Sequence, residues 1–108
     1  MDNVIKPKDK DELRKIIVFY SRKYPEHSLN WLNVIEITDM CKLFMGTKYN
    51  GDISRWHTSN VTDMSYMFYK AYMFNQSISN WNISDKTDIS KMFDHCPIRE
   101  EYKPKKCR

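Results

Sequence analysis

Apolar positions recur along this chain at two spacings, and each spacing predicts an element. In VTDMSYMFYKA (61–71), Met64, Met67, Phe68 and Ala71 fall at i, i+3, i+4 and i+7, the single stripe of an amphipathic helix. Met40, Leu43 and Phe44 hold the same places earlier in the chain, and Ile89, Met92 and Phe93 hold them later. Asn60 or Thr62 would cap such a helix, with Asp63 at its positive end. NQSISNWNIS (75–84) instead scatters Ile78, Trp81 and Ile83 among Ser and Asn, which reads as a short strand and turn.

Near the N-terminus, Leu13, Ile16, Ile17 and Tyr20 make an i, i+3, i+4, i+7 face on a helix of about residues 10–23. Asp9 with Glu12 three places on resembles a capping box. The rest of that helix carries Lys10, Asp11, Arg14, Lys15, Arg22 and Lys23, the polar back of a cap.

The stripes belong to an internal repeat. EITDMCKLF (36–44), NVTDMSYMF (60–68) and DKTDISKMF (85–93) align Thr38, Thr62 and Thr87, then Asp39, Asp63 and Asp88, then Phe44, Phe68 and Phe93. YNGDISRW (49–56) and FNQSISNW (74–81) lie between them. A period in the twenties is that of leucine-rich repeats. In this frame Leu32, rather than its neighbour Trp31, matches Trp56 and Trp81, so the first repeat is irregular. The expected fold is therefore α/β: a short right-handed leucine-rich-repeat-like solenoid of about 2.5–3 repeats. Residues 1–28 form the N-terminal capping helix segment, 29–96 the repeats and 97–108 a basic C-terminal tail.

SNVTDMSYMFYKAYMFNQSISNW, followed by NISDKTDISKMF, resembles the BspA-like family of bacterial leucine-rich-repeat surface proteins, which carry tandem W…SNVTDMSxMF…FNxxISxW units of about 25 residues. The resemblance covers roughly residues 29–96. Lys86 departs from it by replacing an apolar residue before Thr87, and Ile89 by replacing Met. It implies a repeat fold, surface display, and adhesion to host matrix proteins or other cells.

Charge narrows the partner classes. The net charge is +4, but residues 28–98 hold 6 basic and 7 acidic side chains, so the excess sits at the two ends. Nucleic acid is disfavoured, because a basic stripe on the repeats is missing. No apolar run is long enough for a membrane span, and no secretory signal opens the chain, so a cytoplasmic setting is expected for the chain as given, or the surface if it is a fragment or exported by another route. Three cysteines without a CxxC argue against a disulfide framework.

Candidate chemistry is sparse. His27, His57 and His95 and the cysteines Cys41, Cys96 and Cys107 show neither nucleophile–base spacing nor paired zinc-ligand spacing, so no enzyme, metal or cofactor is expected. The column Asp39, Asp63 and Asp88 reads as support for three helix N-termini rather than as a cation ladder. The asparagines of three Asn-x-Ser/Thr sequons (Asn60, Asn75, Asn82) read as ladder or turn residues. Tyr66, Tyr69 and Tyr72, three residues apart, make an exposed stripe suited to protein contact. With Lys70, Arg55, Trp56 and His57 they are the expected partner-binding residues of a non-enzymatic protein-binding module, such as a small intracellular inhibitor encoded by a phage or mobile element. Single-stranded nucleic-acid binding through the aromatics is a further alternative, and the open ends of the repeats suggest a homodimer.

Overall fold

Residues 5–108 are described by a computed structural model of the chain. The capping-helix segment expected over 1–28 thus begins outside the described residues. Its helix, α1, spans Lys10–Lys23. Asp9 caps it, its Oδ1 accepting from the amide of Glu12 at 3.0 Å. The Glu12 carboxylate returns to the amide of Lys8 rather than to the cap residue itself, a capping box displaced by one position. Leu13 and Ile17 are fully buried, and Ile16 and Tyr20 pack half-buried beside them.

The repeats contain neither the helix nor the sheet expected of them. Among the described residues α1 is the one α-helix, and extended pairing is reduced to isolated parallel bridges: Ile5 with Leu32, Asp39 with Asp63, and Asp63 with Asp88. The leucine-rich-repeat-like α/β solenoid is therefore not this chain's fold. The molecule measures 36 × 27 × 22 Å.

What replaces the helices is a pair of tandem turns per repeat. The amide of Leu43 bonds to the carbonyl of Met40 and that of Thr47 to Phe44; Met67 to Met64 and Ala71 to Phe68, and Met92 to Ile89 and Cys96 to Phe93, repeat the arrangement. The third residue of each turn is left-handed: Lys42, Tyr66 and Lys91 in one column, Gly46, Lys70 and His95 in the other, with φ between 53 and 69°. Five of these six carry a Cβ, a conformation that sterics disfavour and the surrounding ladder imposes.

The physical reason is a competition for amides. Met40, Lys42, Phe44 and Gly46 donate to the carbonyls of Asp63, Ser65, Met67 and Tyr69 in the next repeat at 2.8–3.1 Å. Met64, Tyr66, Phe68 and Lys70 donate likewise to Asp88, Ser90, Met92 and Asp94 at 2.8–3.0 Å. An amide committed to a neighbouring repeat cannot also serve the carbonyl four residues back, so the helix is forfeited. Tandem four-residue turns still send residues i, i+3, i+4 and i+7 inward, which is why the stripe imitates a helix.

Side chains repeat the stacking. Phe44 and Phe68 lie face to face with centroids 5.0 Å apart and planes within 3°, and Phe93 follows at 5.5 Å. Trp56 and Trp81 stack at 6.3 Å. Leu32, Trp56 and Trp81 each close a turn onto Leu29, Ile53 and Ile78, so Leu32 holds the tryptophan position of the first repeat. Trp31 is displaced against Tyr20. Lys86, which would be driven inward, is avoided by a one-residue adjustment: Thr87 is buried instead and its hydroxyl donates to the Val61 carbonyl at 2.8 Å. The expected strand segment is held by asparagines. Asn50 Oδ1 accepts from the amide of Asn75, and Asn75 Oδ1 from that of Arg99.

Candidate partner-binding face

The two ends of the stack are closed differently. At the first repeat, α1 runs along the carbonyl edge: Lys10 pairs with Asp39 at 3.1 Å, and the Arg14 guanidinium donates to the carbonyls of Lys42 and Leu43. At the third, the tail lies along the corner. The Ile78 amide donates to Tyr102 at 2.9 Å, and Lys106 Nζ donates to the carbonyls of Ser84 and Thr87 at 2.7 and 3.2 Å. Two single turns of 3₁₀ helix, Glu100–Tyr102 and Lys105–Cys107, shape that tail.

On the flank between these ends, the expected contact residues are only partly brought together. Tyr66 and Tyr69 meet edge to face at 5.2 Å, and Lys70 Nζ lies 5.4 Å from the Tyr69 ring. Both rings are half-buried, while Lys70 is exposed and Tyr72 is 63 % exposed. His95 joins them, 5.7 Å from Tyr69. It stands one repeat on from Lys70, and that spacing is the signal in the sequence that places it here.

Trp56 does not belong to this face. It is buried, its ring stacked on Trp81 and its Nε1 donating to the Leu29 carbonyl at 2.9 Å. The turn onto Ile53 points the indole inward, and a backbone acceptor satisfies its one polar atom. Arg55 and His57 are exposed on either side of it, and no ring contact or hydrogen bond joins them to the tyrosines. A second aromatic group also went unpredicted. Tyr20 stacks on His27 at 5.3 Å and meets Trp31 at 6.0 Å, flanked by the half-exposed Phe19 and Tyr24.

The aspartate column exists, but its role differs from that expected. With no helix to cap, each carboxylate turns onto its own chain: Asp39 Oδ1 accepts from the amide of Cys41, Asp63 from Ser65 and Asp88 from Ser90, all at 2.9 Å. These Asx turns open the tandem turns. The Ser90 hydroxyl and amide hold the Asp88 carboxyl below the ordinary range. At Asp39, partial burial works against ionisation, and the Cys41 amide with Lys10 outweighs it. Asn60 Nδ2 donates to the Ile35 carbonyl at 3.0 Å, a ladder bond like those of Asn75.

Burial raises the thiols of Cys96 and Cys107, which disfavours the thiolate nucleophile. Among the described residues no three His, Cys, Asp or Glu side chains converge as metal ligands, and no helix is long and apolar enough to cross a membrane.

A family model described as Mycoplasma protein of unknown function, DUF285, matches residues 15–101, about four-fifths of the chain. No curated protein and no solved structure matches it significantly.

Proposed function

For a chain that belongs to the DUF285 family, we propose a non-enzymatic protein-binding role in which Tyr66, Tyr69, Lys70 and Tyr72 make the contact face. One observation carries the reading: Tyr66 and Tyr69 pack edge on while still half-open to solvent, with the exposed His95 against Tyr69, and inter-repeat hydrogen bonds pin the Tyr66 amide and the Tyr69 carbonyl. Such rings lose little freedom on binding, and tyrosine combines contact area with a hydroxyl. The match is consistent with a BspA-like repeat chain, so adhesion of that kind is a second setting for the same face.

The test compares the tagged chain with its Tyr66→Ala/Tyr69→Ala variant as baits, in nuclease-treated bacterial lysate and on immobilised host matrix proteins. A stoichiometric protein retained by the parent and lost by a variant of unchanged thermal unfolding supports the face. Equal retention by both baits, or retention that depends on nucleic acid, overturns it. Retention from lysate alone favours the intracellular inhibitor, and retention by matrix alone favours adhesion.

A further inference from the structure

Charge near the tyrosine face is sorted, and one cleft collects a surplus of a single sign. α1 carries Asp11 and Glu12 in its first turn and Arg22 and Lys23 in its last. Between its basic half and the second turn of the first repeat lies a cleft of about 410 Å³, lined by Arg14, Val18, Arg22, Met45, Gly46 and Lys48. No carboxylate lines it, and its hydroxyls are committed: Ser21 donates to the Val18 carbonyl and Thr47 to that of Phe44. Among the described residues neither Arg22 nor Lys48 has a carboxylate partner. Arg14 spends Nη1 on the carbonyls of Lys42 and Leu43. Burial pushes its guanidinium below the ordinary value, and no acid offsets that. A half-buried cation beside open volume, without a counter-ion, favours an anion there. On the other side of Arg14 the balance differs: a cleft of about 300 Å³ reached by Lys10 and Lys42 also holds Asp11, and Lys10 is paired with Asp39.

The larger cleft is continuous with the tyrosines. Gly46, in its wall, donates its amide to the Tyr69 carbonyl at 3.1 Å, and Lys70, one repeat on from Gly46, lies over the Tyr69 ring. With the Lys10–Asp39 pair set aside, clefts and face together hold Arg14, Arg22, Lys42, Lys48, Lys70 and Lys91 against Asp11, Asp63, Asp88 and Asp94. Of these acids, Asp11 lines the neighbouring cleft, and the other three stand in the second and third repeats. A nucleic-acid backbone needs cations along its whole track, and those three carboxylates interrupt it. A protein needs only a local anchor. Val18 and Met45, both half-buried, give the cleft apolar walls that suit the methylenes of a glutamate.

We infer that the partner of the tyrosine face is an acidic protein, which seats a carboxylate side chain among Arg14, Arg22 and Lys48 while crossing Tyr69 and Lys70. This rests on the protein-binding reading and names the chemistry of the partner. The Arg22 fork holds a carboxylate through two parallel donors, and Lys48 adds a point charge.

Amide NMR on the isotope-labelled full chain tests it. The probe is a short synthetic peptide of glutamate, leucine and serine; its glutamine counterpart and a single-stranded oligothymidylate of equal charge are the controls. The glutamate peptide is expected to shift the amides of Arg22, Gly46, Lys48, Tyr69 and Lys70, and the glutamine peptide none of them. Arg22→Gln/Lys48→Gln should weaken binding about tenfold. Lys86→Gln/Lys105→Gln, which removes the same charge elsewhere on the surface, should change it less than about twofold. No shift at these amides with millimolar glutamate peptide overturns the inference. Equal loss in the two variants overturns it by showing attraction through net charge alone, and equal binding of the oligothymidylate overturns it as well. The Tyr66→Ala/Tyr69→Ala bait separates this inference from the reading beneath it. If that bait loses its protein while the peptide fails to bind, the acidic partner is refuted and the tyrosine face stands. If it keeps its protein while the peptide fills the cleft, the face is refuted and this inference falls with it.

Discussion

Gly51 is the position where the smallest change has the largest expected effect. It is buried beside a contact that reaches across the core, the Tyr49 hydroxyl donating to the His27 carbonyl at 2.7 Å. A Cβ placed on Gly51 would fall inside contact distance of both that carbonyl and that hydroxyl. The carbonyl is backbone and the tyrosine is fully buried, so neither has room to give way. Overpacking costs about 1–3 kcal/mol. Separating the hydroxyl from its acceptor costs about another 1 kcal/mol. Gly51→Ala should therefore lose about 3 kcal/mol, a large share of the roughly 5–15 kcal/mol holding a domain of this size. That corresponds to a fall in Tm on the order of 15 °C. Gly46→Ala is the contrast. Its Cβ meets nothing within 4 Å, and only the φ of 69° resists it, so the cost should be about 1 kcal/mol. Urea unfolding followed by tryptophan fluorescence measures both. In a Tyr49→Phe background the Gly51→Ala penalty should shrink by about 1 kcal/mol, because one of the three colliding atoms is gone. A Gly51→Ala loss under about 0.5 kcal/mol, or a penalty unchanged by Tyr49→Phe, would refute the reasoning.

Two further outcomes are expected. Asp52 is held below its ordinary pKa by the Ser54 amide and hydroxyl, and Asp39 and Asp88 are lowered as well. Carboxyls lowered in the folded state add stability above their unfolded value of about 3.9, and this is lost as pH falls through the folded values. Urea midpoints should thus decline from about pH 5 toward pH 2, and a midpoint flat across that window would refute the assignment. Cys96 and Cys107, with thiols raised by burial, should react with a disulfide reagent at pH 8 far more slowly in the native chain than in urea; equal rates would show them open.

The repeat register was legible from residue identities. Thr-Asp at fixed spacing locates the three blocks, and the same spacing puts Leu32 in the tryptophan column. α1 was legible too, since Leu13, Ile17 and Asp9 act within their own segment. The repeats were misread because Met64, Met67, Phe68 and Ala71 carry a spacing that helices and tandem turns share. The deciding information is non-local. Whether the amide of Phe68 bonds backward or to Met92 depends on a segment 24 residues away. Asp63 and Ser65, which make an Asx turn, were the local hint against helix. At the candidate face, Trp56 was misplaced because a tryptophan beside Arg55 and His57 looks exposed, and its burial depends on Trp81. His95 was missed because its partner Tyr69 sits in the preceding repeat.

The prevailing direction of the ladder also has an electrical consequence. Each peptide unit carries a dipole of about 3.5 D, and in a helix the aligned units add. Here eight inter-repeat bonds point one way and two, from Thr62 and Asp88, point back, so the units leave a net sum across layers instead of along a helix axis. The negative pole lies where Lys10 and Arg14 close the first repeat. Arg14→Glu would therefore meet the summed field of three layers and not one carbonyl. The same addition couples length to capping: every layer added to such a stack strengthens both poles, and so raises the demand on the charges that close its ends.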